Sequence, residues 1–271
     1  MRRTITADES AVSESIGFVL IFSLVIVGIS LVSLYGYPVL LKQQANADQQ
    51  IMEKNMIVLQ NDLKSLVYKT VPYKETSLKV GGGTMYVCQT SQSFSIDYGG
   101  GPVIDTYPLA GSMGEIRYVS KDEGQVVAIE NGAVMYRLPE YAVTGSTMLA
   151  EPRWFYDEPT KTAVIYMINV SSAEPLSLSG VGTVQMELVN TSYQVFTRDP
   201  SMADPPFYVK YTPNADPDAD EDFSAAWKDY ITNLEPKGEW MELPADSGRY
   251  RLPLSTRILV VKAYDVVVHN L

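Results

Sequence analysis

The pattern of hydrophobic and polar residues begins with a long apolar run. Residues 16–35 contain 20 amino acids without a charge, and 14 of them are Ile, Leu, Val or Phe. A helix of this length is about 30 Å long, which matches the hydrocarbon layer of a bilayer. At roughly −0.3 to −0.6 kcal/mol for each large aliphatic residue, membrane insertion is favoured by several kcal/mol. The run therefore predicts a transmembrane helix, which we place over residues 12–41.

A cleavable secretory signal is the main alternative for this run. Residues 45–47, Ala-Asn-Ala, supply an A-x-A pattern of the kind at which signal peptides are cut. However, the apolar part of a secretory signal is about 7 to 15 residues long and follows a basic segment. This run is longer, and it follows Asp8, Glu9 and Glu14. These features favour a helix that is retained over one that is removed with residues 1–47.

A second, amphipathic pattern follows the apolar run. We expect a helix over residues 42–70 that ends near Lys69, because Pro72 cannot continue it and disfavours a helical residue before itself. We also expect Gly36 and Pro38 to disturb the helix. The apolar stripe does not distinguish a coiled-coil stalk from packing against the chain's own head. The residues of the stripe, which share one helical face, are Ala45, Met52, Met56, Leu59, Leu63 and Leu66.

Beyond Pro72 the pattern changes to short alternating runs separated by glycine, which is typical of β-strands. Asn131-Gly132, between two apolar runs, predicts a hairpin with a type I′ turn. Residues 220–234 predict one amphipathic helix with Asp222 as its N-cap. The fold class is therefore α+β: a long N-terminal transmembrane and amphipathic helix, then a head over residues 71–271. The head is a mainly antiparallel β-sheet or β-sandwich with one packed helix. The strands are expected within residues 77–90, 93–104, 114–122, 162–171, 182–196 and 257–271.

Composition limits the chemistry that the chain can perform. The net charge is −11 and the pI is about 4.6, whereas a nucleic-acid partner requires a basic stripe that displaces counterions from phosphates. Cys88 is the only cysteine, so it forms no disulfide within the chain, and its apolar surroundings favour a small core residue. His269 is the only histidine and lies two residues from the C-terminus, which leaves no basis for a Ser-His-Asp or Cys-His site. We predict no catalytic residue, no cofactor and no enzyme activity.

The N-terminal residues resemble a known pattern. Residues 9–32, ESAVSESIGFVLIFSLVIVGISLV, are similar to the start of archaeal type IV pilin-like proteins, in which a small residue, a Val-Ser-Glu element and Ile-Gly precede an aliphatic run. A long helix, first apolar and then amphipathic, that carries a β-rich head is also the plan of type IV pilins. The resemblance implies a class III signal peptide that is cut between Ala11 and Val12. Residues 1–11 are then the leader, and the apolar helix is retained.

The resemblance also implies partners and a location. Pilin-like helices pack against one another when they leave the bilayer, which makes Glu14, Ile16 and Gly17 candidate helix-assembly residues. The implied partners are membrane lipid, other pilin-like subunits and a prepilin peptidase. The implied location is the archaeal cell membrane, as a single-pass protein with a cytoplasmic N-terminus and an extracellular head. A cut after Glu9 would instead make Glu14 the fifth mature residue. Glu14 could also be an acidic residue at the start of the helix, where the helix macrodipole favours a negative charge. A plain anchor that is never cleaved stays open as the alternative to a pilin-like helix.

Two motifs in the head bear on binding. Asp216, Asp218 and Asp220 have the alternate spacing with which calcium loops converge oxygen ligands, although the glycine and the final glutamate of an EF-hand loop are missing. Asn169 and Asn190 each begin an Asn-x-Ser/Thr sequon, which is a glycosylation site if the head lies outside the cell. The 18 tyrosines and three tryptophans would suit an adhesive surface or an ordinary sheet equally well.

These observations favour a minor pilin or an anchored surface protein with a structural or adhesive function. The alternative is a membrane-anchored or secreted extracellular binding module for glycans or metal ions. A hydrolase is a third hypothesis, for which Asp97, Glu115 and Glu130 would have to pair in space, because no spacing in the sequence selects them.

Overall fold

A computed structural model describes residues 9–69, 71–99, 103–107, 113–121, 124–137, 145–199, 201, 204–214 and 222–271, and for residues 9–14 it describes the backbone alone. Contacts divide the chain into two units, Met1–Ala47 and Asp48–Leu271. The described residues of the first unit, 9–47, are helical, and the second unit contains the β-rich head together with the end of the long helix. The predicted α+β class, with a helix followed by a mainly antiparallel head, is confirmed.

The helical region consists of α1, Glu9–Leu31, a π-helical turn, Val32–Gly36, and α2, Tyr37–Lys69. The expected disturbance coincides with the π-helical turn, in which the Tyr37 N–H donates to the Val32 carbonyl oxygen. The ring of Pro38 has no N–H to give to the preceding turn, and wider hydrogen bonding next to a proline is one way in which a helix adjusts. The predicted end of the helix near Lys69 is also confirmed.

The larger sheet of the head has nine strands in the order β7-β6-β5-β4-β1-β10-β14-β9-β8. All neighbouring pairs are antiparallel except β14 and β9, which are parallel. The smaller sheet has the order β12-β13-β11-β2-β3, and α3, Ser224–Thr232, precedes β12 in the chain. The strands are β1 Tyr73–Gln89, β2 Ser93–Tyr98, β3 Val103–Tyr107, β4 Gly114–Ser120, β5 Val126–Glu130, β6 Ala133–Arg137, β7 Ser146–Ala150, β8 Phe155–Asp157, β9 Thr162–Ser171, β10 Leu176–Thr197, β11 Phe207–Thr212, β12 Met241–Glu242, β13 Arg249–Arg251 and β14 Ile258–Asn270.

The second half of α2 packs on one face of the nine-stranded sheet. Five residues of its stripe are completely buried, and α2 side chains reach β1, β7 and the β5–β6 turn. Fully burying side chains of this size contributes about 1.5–3 kcal/mol each. The stripe is therefore occupied by the chain's own head, which decides between the two alternatives that the sequence left open. The buried stripe residues are Met52, Met56, Leu59, Leu63 and Leu66.

The centre of the large sheet is buried on both faces. Every residue of β5 is buried, and so are the first five residues of β4. Residues of α2 cover one face, while α3 and the smaller sheet supply contacts to the other, including those of Trp227 and Tyr211 with Glu130. This two-sided covering explains why these strands lack the simple alternation of a half-exposed sheet.

The hairpin predicted at Asn131-Gly132 joins β5 to β6. The φ angles of the two residues are 47° and 73°, and a positive φ at both central positions is what a type I′ turn requires. The glycine-rich stretch after Val80 is a bulge inside β1, because the register with β10 shifts between Val80 and Met85. Glycine inside a strand often marks such a bulge.

In the closing strand β14, buried residues alternate with partly exposed ones. Leu259 and Val261 are buried, and further along Tyr264, Val266 and Val268 are buried, whereas the residues between them are partly or fully exposed. The buried positions change from odd to even numbers along the strand, next to a register shift in the pairing with β10. The sequence looks continuously apolar because partly exposed residues such as Val260 and Val267 are apolar too, although only one face is buried at any point.

Candidate functional site

The helix Ser15–Lys69 is, among the described residues, the one helix long and apolar enough to cross a membrane. The apolar side chains of its first part are exposed, from 46% at Ile26 to 73% at Leu24. A Cβ added at Gly17 or Gly28 would meet no atom within 4 Å. A helix that is apolar on all sides and has no internal partner is typical of one that is surrounded by lipid or by other helices.

The residues expected at the processing site lie at the beginning of α1. Ala11, Val12 and Glu14 have helical backbone, and their side chains lie outside the described residues. Ile16 is exposed, and Gly17 is in the uncharged run. The cut between Ala11 and Val12 stays a prediction.

Gln60 fixes the position of α2 on the head. Its side chain is 1% exposed, and its amide nitrogen lies 2.8 Å from the carbonyl oxygen of Gly132 and 3.2 Å from that of Ala150. Lys64, one turn later, donates to the carbonyl oxygen of Glu151. These acceptors lie at the ends of β5, β6 and β7, where the sheet ladder leaves carbonyl groups without partners. The sequence pattern gave no signal for this role, because Gln60 lies beside the apolar stripe.

Two carboxylates of the hydrolase hypothesis meet in the core. Glu115 of β4 and Glu130 of β5 are directly opposite each other in the ladder, and both are completely buried. Arg117 forms an ion pair with Glu115, and the indole N–H of Trp227 donates to Glu130 over 2.7 Å. Burial and the neighbouring Glu115 raise the pKa of Glu130 to about 8. The Glu130 carboxyl therefore holds its proton at neutral pH.

Glu115 and Glu130 form a polar pair inside the core that is closed to solvent. The exposed fraction of both glutamates is zero. Tyr211 is also buried, and its burial, together with the neighbouring Glu130, raises the pKa of its hydroxyl. General acid and base groups must come within hydrogen-bonding distance of a substrate. In this conformation a substrate has no access to either carboxylate.

Asp97 is not part of that pair. It lies in β2 and forms a two-point ion pair with Arg249 of β13, in which the guanidinium Nε lies 2.9 Å from Oδ2. The same guanidinium lies over the ring of Tyr208, 3.6 Å from the ring centre. The three carboxylates of the hydrolase hypothesis therefore do not converge.

The two sequon asparagines lie in one row across the sheet. Asn169 of β9 and Asn190 of β10 flank Asp265 of β14 and donate to its carboxylate over 3.2 and 3.0 Å. The Asn169 side-chain oxygen also accepts from the Gly114 N–H, and Asn169 is partly buried, whereas Asn190 is exposed. Of the two, Asn190 offers the more accessible amide, and glycosylation stays a prediction for both.

The predicted metal ligands Asp216, Asp218 and Asp220 lie outside the described residues. Within the described part of the chain, no three His, Cys, Asp or Glu side chains group as metal ligands would. Asp222 accepts from the Ser224 N–H over 2.7 Å, so it bonds to the start of α3, although Phe223 takes the cap position itself.

A cavity of about 620 Å³ lies beside the start of α3. It is lined in part by Lys228, Glu242 and Asp246. The Lys228 ammonium lies 2.9 Å from a Glu242 oxygen and 2.7 Å from an Asp246 oxygen. The two carboxylates thus share one ammonium group as their partner.

The tryptophans are buried and do not form an adhesive surface. Trp154, Trp227 and Trp240 are 5%, 0% and 2% exposed. Trp154 and Trp227 belong to a ring cluster with centroid distances of 4.9–6.1 Å, which is the normal range for aromatic pairs in a core. Cys88, for which the sequence favoured a small core residue, is only partly buried, and its thiol lies 3.5 Å from a Glu115 carboxylate oxygen.

Comparison with known proteins gives one family. A family model described as "Family of unknown function (DUF7289)" matches residues 11–238, which include both the apolar helix and most of the head. No curated protein and no solved structure matches the chain. Because the family model covers more than half of the sequence, the chain belongs to the DUF7289 family of unknown function.

Proposed function

We propose that this protein is a membrane-anchored, type IV pilin-like protein of the archaeal cell envelope, either a minor pilin or an anchored surface protein. Its role is structural or adhesive. The apolar helix holds the chain in the membrane, and the head is presented on the outer side.

The observation that carries the proposal is the exposure of the apolar run. Side chains such as Phe18, Leu24 and Leu34 are 66–73% exposed, and moving that much apolar surface out of water contributes about 25 cal/mol for each Å². Without lipid or a partner helix, the run would be an apolar patch far larger than a soluble monomer normally exposes. A retained helix in the bilayer removes this cost.

The use of the second half of α2 also supports the proposal. In the pilin plan, which the sequence resembles, a helix that is first apolar and then amphipathic carries a β-rich head. Here Met52, Leu59 and Leu66 of the amphipathic part are buried on the nine-stranded sheet, so the helix and the head are joined by packing as well as by the chain. The family match across residues 11–238 supports treating the helix and the head as parts of one inherited unit.

Processing of the native protein tests the proposal. We expect native membranes extracted with alkaline carbonate to retain the protein, and the intact mass of the purified product to show the loss of residues 1–11. An unchanged N-terminus in the carbonate-resistant fraction supports a plain anchor over a pilin. A product that begins at Asp48 and is released from membranes contradicts the proposal.

Topology is tested with single cysteines in the Cys88→Ser protein. Val181 is 78% exposed on the head, so Val181→Cys is expected to react with a membrane-impermeant maleimide in intact cells. The matched control is Thr4→Cys in the predicted cytoplasmic leader. Its labelling is measured in a variant whose leader is not cleaved, so that residue 4 stays attached to the chain. Labelling of the leader and protection of the head in intact cells contradict the proposed orientation.

A further inference from the structure

The two halves of β10 have different neighbours. The first half, up to Glu187, pairs with β1, and the second half pairs with β14 on its other side. Among the described residues, no strand pairs with residues 189–196 on the side that β1 has left. We call residues 189–196 the open edge.

Backbone contacts mark both ends of the open edge. Just before it, the Leu188 N–H donates to the Pro72 carbonyl oxygen over 3.0 Å. Just after it, the Thr197 carbonyl oxygen accepts from the Tyr98 hydroxyl over 3.4 Å. In an antiparallel pair only alternate residues bond to a given neighbour, so about half of the N–H and C=O groups between these contacts face away from β14.

The open edge carries no charged residue and no proline, two of the features by which proteins block strand addition. Residues 189–196 contain no Asp, Glu, Lys, Arg or Pro, although 20% of the chain is charged. The side chains that they expose are large: Val189 and Val195 are 52% exposed, and Tyr193 is 74% exposed. A single irregularity, the register shift at Val189, lies at one end. A long, uncharged edge is a template for another strand.

We propose that a second copy of this chain pairs with the open edge through its own residues 189–196, antiparallel and about a two-fold axis. The pairing joins two nine-stranded sheets into one. The partner is a strand because the open edge offers backbone hydrogen bonds in the plane of the sheet, which an extended chain satisfies. This interface goes beyond the proposed anchoring function and does not depend on it.

The sequence of the open edge suits pairing with a second copy of itself. The chain has a net charge of −11, so most surfaces of two copies repel each other, whereas two uncharged edges approach without opposed like charges. With the axis at Tyr193, that residue faces its counterpart, and Thr191 faces Val195 of the other copy. Aromatic pairs and pairs of β-branched residues are favourable cross-strand neighbours, each by about 0.2–1 kcal/mol, and two-fold symmetry makes each unequal pair occur twice.

Disulfide formation in the full-length protein in its native membranes tests the interface. Tyr193→Cys in the Cys88→Ser background is oxidised and compared with Val181→Cys, which is equally exposed on the same strand but outside the open edge. Directly opposed residues have Cα atoms about 4.5–5.5 Å apart, within the range of a disulfide. We expect at least about tenfold more linked dimer at position 193. We expect a loss of about tenfold when Val195→Lys is added, because each copy then carries a lysine on the edge that must pair, opposite Thr191 of the other copy. Val103→Lys, at a residue that is 56% exposed elsewhere on the head, is the control for the added charge.

Three outcomes overturn the proposal. They are equal linkage at positions 181 and 193, no linkage at position 193, and a linked product whose mass is not twice that of the chain, which would identify a different protein as the partner. Hydrogen exchange gives a second measurement without substitutions: the amides of residues 189–196 are expected to gain protection as the protein concentration rises. Concentration-independent exchange there also overturns the pairing. Membrane extraction is unaffected by any of these results, so failure of the interface and failure of the anchor are distinguishable.

Discussion

The buried Glu130 is expected to make the stability of the head depend on pH. In the folded head its pKa is about 8, because burial and Glu115 disfavour its ionised form, whereas its ordinary value is 4.5. The folded state therefore binds one more proton than the unfolded state between these two pH values. The corresponding stability is fully present below pH 4.5 and is lost as the pH rises through 8. At about 1.4 kcal/mol for each pH unit between them, the loss across the window is on the order of 5 kcal/mol.

Glu130→Gln removes this titration with little change of shape. The amide keeps an oxygen that accepts from the Trp227 indole N–H. We expect the variant to have a much flatter stability profile between pH 5 and 8, to be no more stable than the wild type at pH 5, and to be more stable at pH 8. Glu174→Gln makes the same chemical change at an exposed residue, and its profile is expected to follow that of the wild type.

Tryptophan fluorescence during denaturant unfolding measures this effect in the full-length protein in detergent. All three tryptophans, Trp154, Trp227 and Trp240, are buried in the head, so the signal reports on the head although the apolar helix is present. The slope of unfolding free energy against pH is the quantity to compare. Parallel slopes for the wild type and Glu130→Gln would refute the assignment of the raised pKa to this residue.

Three further substitutions test the helix, the hairpin and the anchor. Leu59→Ala removes a fully buried side chain of α2 and is expected to lower the unfolding free energy by about 2–5 kcal/mol. Val58→Ala, at a neighbour that is 49% exposed, is expected to change it by less than about 1 kcal/mol. Equal losses of the two variants in denaturant titrations would contradict the packing of the stripe. Gly132→Ala places a side chain at a φ of 73°, with its Cβ 2.8 Å from an Ile168 methyl group, so we expect a loss of about 1–2 kcal/mol, and an unchanged unfolding midpoint would contradict the turn geometry. Ile26→Arg at the middle of the apolar run is expected to cost about 2.5–3.5 kcal/mol of insertion free energy and to lower the carbonate-resistant fraction, which a helix outside the bilayer would leave unchanged.

Local chemistry explains which elements could be predicted from the sequence. The end of α2 at Lys69 follows from Pro72, and the β5–β6 hairpin follows from Asn131-Gly132, because each depends on the backbone of a few adjacent residues. The stripe of α2 correctly indicated a buried face. It did not indicate what buries that face, because a coiled coil and a sheet require the same apolar spacing.

The second face of the large sheet was not predictable in this way. Glu115 and Arg117 alternate with apolar residues in β4, which is the pattern of a strand with one face in water. In the structure that face is covered by Trp227 and Tyr211, which are about a hundred residues further along the chain. β11, which contributes Tyr211, has the buried–exposed alternation of a strand, but it stands between prolines and was not among the predicted strands.

The position of α2 on the head depends on a polar residue as well as on the apolar stripe. Apolar contacts alone are compatible with several small shifts of a helix along a sheet, because methionine and leucine side chains adapt to one another. The Gln60 amide is buried and has its acceptors at the Gly132 and Ala150 carbonyls. A shift of α2 by one turn would move this amide about 5.4 Å from those oxygens and would leave buried groups without hydrogen bonds, at a cost of about 1–3 kcal/mol for each group. The stripe thus drives the docking of α2, and Gln60 selects one register among the positions that the stripe permits.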